Sequence, residues 1–323
     1  MNFDFNFNKI IDLLKQKDKI LIITHKNPDG DAIGSSFALY YALLKLGKKV
    51  EVDIGKRLSD IYRWVKNDYD NKLDFEPEYI VAVDLADTKL LLDHLKIFEK
   101  KIDLVIDHHP SNTGFASQTL LDSKASATTE LLYDVIVNLI GEENIDSQIA
   151  SCLYLGLSTD TGCFRYSSVT SKTHLVAASL INKNANYFYI NKKMFDTKSK
   201  KKLEIEQIVL SKIEYFFNDR CAIIFISKEL KQRFDIADDE LENLSALPIQ
   251  IEGVEVGVTI KEKDKDLNNE YKISIRTSEN FDASEICKNF GGGGHKRAAG
   301  CSLDGNYQDT KNKLLKIISK YIN

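Results

Sequence analysis

The stretch ILIITHKNPDGDAIGSS, residues 20–36, decides the fold class. It opens with a short, nearly continuous apolar run, which is typical of a strand buried on both faces. A helix is predicted at residues 32–46, and Gly47 follows it where helices commonly end. A buried strand that leads directly into a helix is the beginning of a β-α-β unit, so a parallel sheet is expected.

The same alternation continues through the first half of the chain. Further buried strands are predicted at residues 50–53, 79–84 and 104–107, and further helices at residues 127–140, 147–157 and 172–182. Strands separated by helices pair in parallel through right-handed crossovers. We therefore predict an α/β fold with a doubly wound parallel sheet over residues 1–190.

The pattern changes after residue 190. The lysine-rich residues 191–205 are predicted to form a solvated linker, and residues 206–323 a smaller α+β domain. The elements expected there are a helix at 203–217, strands at 221–226, 254–261 and 271–276, and helices at 283–289 and 308–321.

Composition excludes several classes of protein. The 323 residues are 43% hydrophobic and 28% charged, with a net charge of −4, which is ordinary for a globular protein and unlike a disordered, collagen-like or coiled-coil chain. No uncharged apolar run approaches the ~20 residues of a membrane span. The N-terminus lacks the pattern of a signal peptide, and the five scattered cysteines fit reduced thiols. A cytoplasmic location without membrane attachment is expected.

Metal-ligand side chains follow several of the predicted strands. His25, Asp29 and Asp31 lie in the first strand–helix loop, and Asp84 ends the third strand. The other candidates, which lie at the end of the fourth strand and of a helix, are Asp107, His108, His109 and Asp160. Because the carboxyl ends of parallel strands share one edge of the sheet, these groups are expected to converge there. Carboxylates with a few imidazoles suit Mn²⁺ or Mg²⁺, and so many of them predict two ions.

Glycine gives the second signal. Residues 291–300, GGGGHKRAAG, hold five of the 16 glycines, and consecutive glycines allow backbone N–H groups to approach an anion closely. His295, Lys296 and Arg297 are candidate phosphate donors, and Arg276 ends the preceding strand. A flexible hairpin is the alternative. Arg165 fits a phosphate contact and an ion pair with an acid equally well.

Two other features are predicted to be structural. Trp64 and the run of aromatic residues 187–189 are expected to pack rather than to stack on bases. His94 is expected at the surface or half-buried, and His174 is expected to be structural.

The motifs THKNPDGDAIGS, VAVD, IDHHPSN and STDTGCFRY resemble, in this order, those of the DHH phosphoesterase superfamily. The segment GGGGHKRAAG, preceded by YKISIR, resembles the associated DHHA1 domain. The resemblance spans nearly the whole chain, and its two-domain length is similar to that of the NrnA-type oligoribonucleases. It implies a DHH catalytic domain over residues 1–190 and a DHHA1 substrate-binding domain over residues 206–323.

The resemblance also implies roles for individual residues. One Mn²⁺ would be held by His25, Asp29 and Asp84. The second ion would be held by Asp31, Asp84, His108 and Asp160, so that Asp84 bridges. His109 would face the substrate phosphate, and Asp107 would orient a neighbouring histidine. The nucleotide would be held by Arg276, Gly293, Gly294 and His295. Mg²⁺ or Co²⁺ could replace Mn²⁺.

The function implied is a two-metal exoribonuclease that degrades short oligoribonucleotides to 5′-mononucleotides and dephosphorylates 3′-phosphoadenosine 5′-phosphate (pAp) to AMP. A soluble phosphodiesterase for cyclic di-AMP or its linear product pApA is the nearest alternative, because the same ligands serve both. A RecJ-type exonuclease is less favoured, because the chain has no room for a further domain. A metal-dependent nucleotide-binding regulator without turnover is the alternative of another class. Short RNA and nucleotides are the expected partners, and a homodimer is possible.

Overall fold

The computed structural model describes residues 3–55, 58–66, 68–70, 72–236, 239–263 and 270–322. Contacts between Cα atoms divide the chain into two units, Met1–Thr197 and Lys198–Asn323. The segment predicted as a linker contains a π-helical turn at Lys192–Asp196 and the first half of a helix that begins at Lys200. No helix among the described residues is both long enough and apolar enough to cross a bilayer.

The N-terminal unit contains a five-stranded parallel sheet with order β2-β1-β3-β4-β5. The strands are β1 (Ile20–Ile23), β2 (Val50–Asp53), β3 (Tyr79–Val83), β4 (Leu104–Asp107) and β5 (Gln118–Leu121). The helices are α1 (Phe3–Gln16), α2 (Gly30–Lys45), α3 (Thr128–Ile140), α4 (Ser147–Asp160), α5 (Ser171–Asn182) and α6 (Tyr187–Asn191). The predicted parallel α/β sheet is confirmed; α1, β5 and α6 are additional to the prediction.

Alternate residues of the sheet face two apolar layers. Ile20 and Ile22 of β1 pack on the side of the long helices, in a cluster that includes Phe37 of α2. Leu21 and Ile23 face the opposite side, which is covered by the 3₁₀ turns Thr88–Leu90 and Asp93–Phe98 through residues such as Leu95. Strands buried on both faces account for their continuous apolar sequences.

Two glycines allow α2 and α4 to pack very closely. A Cβ atom at Gly34 would lie 2.4 Å from the Cys152 carbonyl oxygen, and one at Gly156 would lie 2.5 Å from Asp31 Oδ1 and 2.4 Å from Thr129 Cγ2. Real Cβ atoms do not approach other heavy atoms this closely. The contact between α2 and α4 therefore requires glycine at both positions.

The C-terminal unit is built on a six-stranded mixed sheet with order β10-β11-β9-β8-β7-β6. Its strands are β6 (Glu214–Phe216), β7 (Cys221–Ile226), β8 (Val256–Glu262), β9 (Glu270–Thr277), β10 (Gly293–His295) and β11 (Ala298–Asp304). Its helices are α7 (Lys200–Leu210), α8 (Lys228–Phe234), α9 (Ala283–Lys288) and α10 (Tyr307–Ile318), with 3₁₀ turns at Asp239–Ala246 and Pro248–Gln250. The predicted second, smaller α+β domain is confirmed.

The helix predicted at residues 203–217 is wrong beyond Leu210. Ile205, Val209 and Ile213 repeat at the spacing of a helix and all pack in one apolar cluster, but α7 ends at Leu210. Residues 214–216 instead form β6, which pairs antiparallel with β7. The turn between these two strands contains Phe217, Asn218 and Asp219, all with positive φ. The helical spacing of these three apolar residues thus extends by chance beyond the end of α7, to Ile213 just before β6.

Candidate metal centre

The sheet order places the candidate site between β1 and β3. The chain leaves β1 toward β2 on one side and reaches β3 on the other, and such a switch in strand order opens a crevice at the carboxyl ends of the strands. His25 follows β1, and Asp84 follows β3. Asp107 is the last residue of β4, with His108 and His109 directly after it.

Asp29 and Asp31 enter the same crevice through the start of α2. Asp29 is the N-cap of α2, and its Oδ1 accepts hydrogen bonds of 3.0 Å from the backbone N–H groups of Asp31 and Ala32. Asp31 lies in the first helical turn and is buried. Asp160 is the last residue of α4. The helix termini therefore carry three of the predicted ligands.

Three groups of three residues in the N-terminal unit bring ligand atoms together, and all three contain Asp84. In the first group, one atom each from His25, Asp29 and Asp84 lies within 4.8 Å of the others. The second group is formed in the same way by Asp31, Asp84 and His108. Asp160 joins the second group through its Oδ2, which lies 3.3 Å from His108 Nε2. All six residues predicted as metal ligands are thus close together in the structure.

The backbone of Asp84 adopts an unusual conformation. Its φ is +52°, in the left-handed region that a non-glycine residue adopts at a cost of ~1 kcal/mol or more, while its N–H still donates to the Ile106 carbonyl at 3.0 Å. The last backbone hydrogen bond of β3 is therefore kept while the chain turns. A strained backbone at the residue shared by all three groups marks this position as a candidate functional site.

The hydrogen bonds of His108 suit a metal ligand. Its Nδ1–H donates to the Ala125 carbonyl at 3.2 Å, so Nε2 is the ring nitrogen that faces the carboxylates. This Nε2 lies 3.3 Å from Asp160 Oδ2 and 3.9 Å from Asp84 Oδ1. One imidazole nitrogen beside two carboxylates is a set of ligand atoms that fits a divalent ion.

The pKa values of the carboxylates also indicate a site for a cation. Burial, together with the nearby charge of Asp84, raises the pKa of Asp31 to about 7. Burial and the charges of Asp31 and Asp29 also raise the pKa of Asp160 well above its usual range. Burial acts in the same direction on Asp84, but contact with His25 and the charges of the other histidines outweigh it and hold its pKa well below the usual range. Crowded carboxylates that resist ionisation are stabilised as anions by a bound cation.

Asp107 and His109 form the third group with Asp84, and His109 Nδ1 lies 3.5 Å from Asp84 Oδ1. Asp107 Oδ1 accepts a hydrogen bond of 2.8 Å from His109 Nδ1 and one of 2.9 Å from the His108 backbone N–H. Its Oδ2 accepts a hydrogen bond of 2.7 Å from Asn112 Nδ2. The hydrogen bond between His109 Nδ1 and Asp107, together with the charge of Asp84, outweighs burial and raises the pKa of His109 to about 10. The oxygens of the buried Asp107 are already committed to orienting its neighbours.

Sequence reasoning missed Thr128 and Thr129 at the beginning of α3. Their backbone N–H groups donate to the two oxygens of Asp31, at 2.6 and 3.0 Å. The Thr129 hydroxyl donates to Asp31 at 2.8 Å, and the Thr128 hydroxyl donates to Asp84 Oδ1 at 2.9 Å. The available signal was the sequence SATTE at a predicted helix start. The free backbone N–H groups at the start of a helix commonly bind anionic groups such as carboxylates.

The Thr128 hydroxyl offers a direct test of this support. We expect Thr128→Val to weaken metal affinity by about 10- to 100-fold, because a ligand carboxylate loses the hydrogen bond that orients it. Titration calorimetry with Mn²⁺ measures the change without any substrate. Thr128→Ser keeps the hydroxyl and is expected to restore most of the affinity; equal affinities for the valine and native proteins would contradict the assignment.

Arg165 is not in contact with these ligands. Its Nε donates to the Gly162 carbonyl at 2.6 Å, and its guanidinium lies 5.8 Å from the centre of the Phe195 ring. Among the described residues, no acid lies within ion-pair distance of Arg165. Of the other histidines, His94 contacts Asp53 at 2.8 Å and His174 stacks on Phe164.

The glycine segment of the C-terminal unit is part of a hairpin. Gly293, Gly294 and His295 form the exposed edge strand β10, which pairs with β11, and Gly294 has a φ of +142°. Arg276 lies on β9 opposite Ala298 of β11, and its Nη2 donates to Ser245 Oγ at 3.3 Å. Arg297 Nη1 donates to the carbonyl oxygens of Ser278 and Phe281, to the latter at 3.0 Å. An edge strand presents a row of backbone N–H and C=O groups on its outer side.

Comparison with known proteins identifies both units. The model of the DHH family N-terminal domain matches residues 19–157, and the model of the DHHA1 domain matches residues 218–323. A relative from Streptococcus mutans, named a probable bifunctional oligoribonuclease and PAP phosphatase NrnA, is 28% identical across 95% of this chain and 99% of its own length. A bifunctional oligoribonuclease and PAP phosphatase NrnA from Thermus thermophilus is also 28% identical, across 88% of this chain and 84% of its own.

A solved structure covers both units as well. The crystal structure of an exopolyphosphatase-related protein from Bacteroides fragilis has a TM-score of 0.88 and 27% identity, covering 98% of this chain and 96% of that one. Its likeness extends through the parallel sheet and the mixed sheet. With its DHH domain, its DHHA1 domain and relatives that match both, this chain belongs to the DHH/DHHA1 family.

Proposed function

We propose that the chain is a divalent-metal-dependent phosphoesterase that degrades short oligoribonucleotides to 5′-mononucleotides and converts pAp to AMP. The observation that carries the proposal is the sharing of Asp84 by two groups of ligand atoms. Relatives named for both activities, 28% identical over most of the chain, support it. Both reactions break a bond at phosphorus and release a nucleotide.

We assign two metal positions to the centre. His25, Asp29 and Asp84 would hold one ion, and Asp31, Asp84, His108 and Asp160 would hold the other. Their mixture of carboxylate oxygens and imidazoles suits Mn²⁺, with Mg²⁺ or Co²⁺ as substitutes. When bound, a pair of such ions activates water for attack on phosphorus and neutralises the charge that develops on the phosphate oxygens.

The side chains around these ligands have separate tasks. His109 is assigned as the donor to the substrate phosphate or to the leaving oxygen, because Asp107 fixes its ring through Nδ1 at 2.8 Å and keeps it protonated. Asp107 acts through His109 as a positioning residue. Thr128 and Thr129 hold Asp31 and Asp84 in place, so that no ligand has to reorganise during the reaction.

The C-terminal unit is assigned to substrate binding. Gly293 and Gly294 lie on an exposed edge strand, where backbone groups can approach a phosphate without interference from a side chain. His295 and Arg276 would add positive donors. Arg165 is kept as a substrate contact of the N-terminal unit. Recognition through phosphates and backbone groups predicts little preference for base sequence.

Product analysis tests this function. Full-length protein with Mn²⁺ is incubated with 5′-phosphorylated RNA dimers to pentamers, pAp, cyclic di-AMP and pApA, with the Asp84→Asn variant as control. We expect mononucleotides from the short RNAs and AMP from pAp, with cyclic di-AMP intact. Preferential cleavage of cyclic di-AMP would identify a second-messenger phosphodiesterase instead. Binding of these nucleotides without Asp84-dependent turnover would identify a regulator.

Two further predictions, the oligomeric state and the location in the cell, have separate tests. Sedimentation equilibrium reports whether the chain forms the homodimer considered from sequence. Fractionation of cells that express it reports whether the protein is cytoplasmic.

A further inference from the structure

A second cavity in the N-terminal unit lies apart from the metal centre. Its volume is about 640 Å³, within the usual range for small-molecule sites. It lies at the beginning of α4, whereas Asp160 lies at the end of α4, so helix geometry separates the two places by about 20 Å. Side chains that line the cavity include Trp64, Ser147, Gln148, Asn186, Tyr187 and Tyr189.

The aromatic residues at this cavity pack against neighbouring rings and stay partly exposed. Tyr187 is 44% exposed and Tyr189 37%, and Phe188 between them is 68% exposed. Trp64 meets Tyr189 edge to face, with ring centres 6.0 Å apart, and Tyr187 meets Tyr154 in a similar way at 6.2 Å. These edge contacts hold the rings in place at an open cavity.

Polar residues accompany the rings at the cavity. Gln148 lines it, and its Nε2 donates to the Val65 carbonyl at 2.8 Å, which orients the amide. Asn186 also lines the cavity, and its backbone N–H donates to Ser151 Oγ at 2.9 Å. A few fixed polar groups among aromatic rings orient a ligand in a small-molecule site.

Two lysines flank the aromatic run in the sequence. Lys192 Nζ lies 5.8 Å from the centre of the Phe188 ring, and Lys183 is half-buried after the end of α5. The neighbouring Asp146 is paired with Lys45 at 2.8 Å, so its negative charge is compensated. Exposed aromatic rings, side-chain amides and nearby lysines are the combination that binds bases of single-stranded nucleic acid.

We propose that this cavity is a second binding site for a nucleobase with its phosphate, separate from the metal centre. The ligand is a mononucleotide or a base of an RNA strand, which present the same chemistry. Gln148 and Asn186 bind the edge of the base, Tyr187 and Tyr189 contact its apolar surface, and Lys192 interacts with the phosphate. The choice of adenine nucleotides as probes rests on the proposed function; binding at this site needs neither turnover nor metal.

The single tryptophan of the chain makes this site directly measurable. Trp64 is the only tryptophan, so its fluorescence reports on this cavity alone. Full-length Asp84→Asn protein without added metal is titrated with AMP and with 5′-phosphorylated pentaadenylate, which avoids hydrolysis. We expect a saturable change in fluorescence. Saturation by AMP identifies a mononucleotide site, and saturation by pentaadenylate alone identifies a site for RNA strands.

Variants separate this site from the rest of the protein. Tyr187→Ala in the same background is expected to weaken binding at least tenfold, by loss of a base contact worth ~1–3 kcal/mol. Asn186→Ala is a second variant at the cavity. Tyr215→Ala removes a tyrosine of equal exposure, 44%, in the C-terminal unit and is expected to leave the titration unchanged.

Three results would overturn the proposal. They are a fluorescence that does not saturate with either probe, an affinity that neither cavity variant changes, and a dimer that Tyr187→Ala dissociates, which would show that a second copy covers the cavity. Failure here with normal product release in the substrate panel would refute only the second site. Saturable binding without turnover in that panel would refute only the proposed reaction.

Discussion

Replacement of Asp84 by asparagine is expected to lower metal-dependent turnover by about 10⁴-fold, the largest effect of any single substitution in this chain. Asp84 contributes to both groups of ligand atoms and also contacts Thr128, so the change removes one negative charge from both proposed metal positions. Asparagine has nearly the same shape and keeps an oxygen acceptor. The variant should therefore fold while binding metal weakly.

Asp53 provides the matched control. It is the last residue of β2 in the same sheet, and it also contacts a histidine, His94, at 2.8 Å. Asp53→Asn is expected to keep turnover within about threefold, since a partly exposed ion pair contributes less than ~1 kcal/mol. Rates of AMP release and the number of Mn²⁺ ions bound are measured for both variants. Native activity in the Asp84 variant would refute the assignment of the metal ligands.

The second largest effect is expected at His109. His109→Gln removes the proposed proton donor, which contributes about 10²- to 10⁴-fold in comparable roles, and should lower kcat by that amount. Metal affinity should change little, because His109 is not among the assigned ligands. This combination distinguishes a catalytic residue from a ligand, whose loss would affect both quantities.

Calorimetry with Mn²⁺ and single-turnover rates on pAp test this separation. His174→Gln is the control: its ring stacks on Phe164 at 5.5 Å and is not assigned to the chemistry. A loss of metal affinity in His109→Gln as large as its loss of rate would show that His109 is a metal ligand. Equal rates for His109→Gln and the native protein would show that the proton comes from elsewhere.

The ligand side chains could be predicted from sequence because they follow strands. His25, Asp84 and His108 each lie within two residues of the end of an apolar run, and the rule for parallel sheets then brings the ends of those runs together. Asp160 was also within reach, since a helix that ends at the same edge can be recognised by its apolar spacing. Convergence was thus a consequence of topology.

The supporting contacts could not be predicted in the same way. Thr128 and Thr129 reach residues about 100 positions earlier in the chain, and no local pattern specifies which carboxylate a helix N-terminus will contact. The edge strand β10 was equally hidden, because its glycines have low strand propensity and pair only through the register set by β11.

The close packing of α2 on α4 links the site to the stability of the whole N-terminal unit. Gly156 leaves no space between α4 and the Asp31 carboxylate, so the second proposed metal position exists only while the two helices remain in contact. By mass action, an ion bound there stabilises the folded unit by RT ln(1 + [ion]/Kd). Separation of the two helices in turn weakens the binding of the ion by the same free energy. Metal affinity and helix packing are therefore two measures of a single equilibrium.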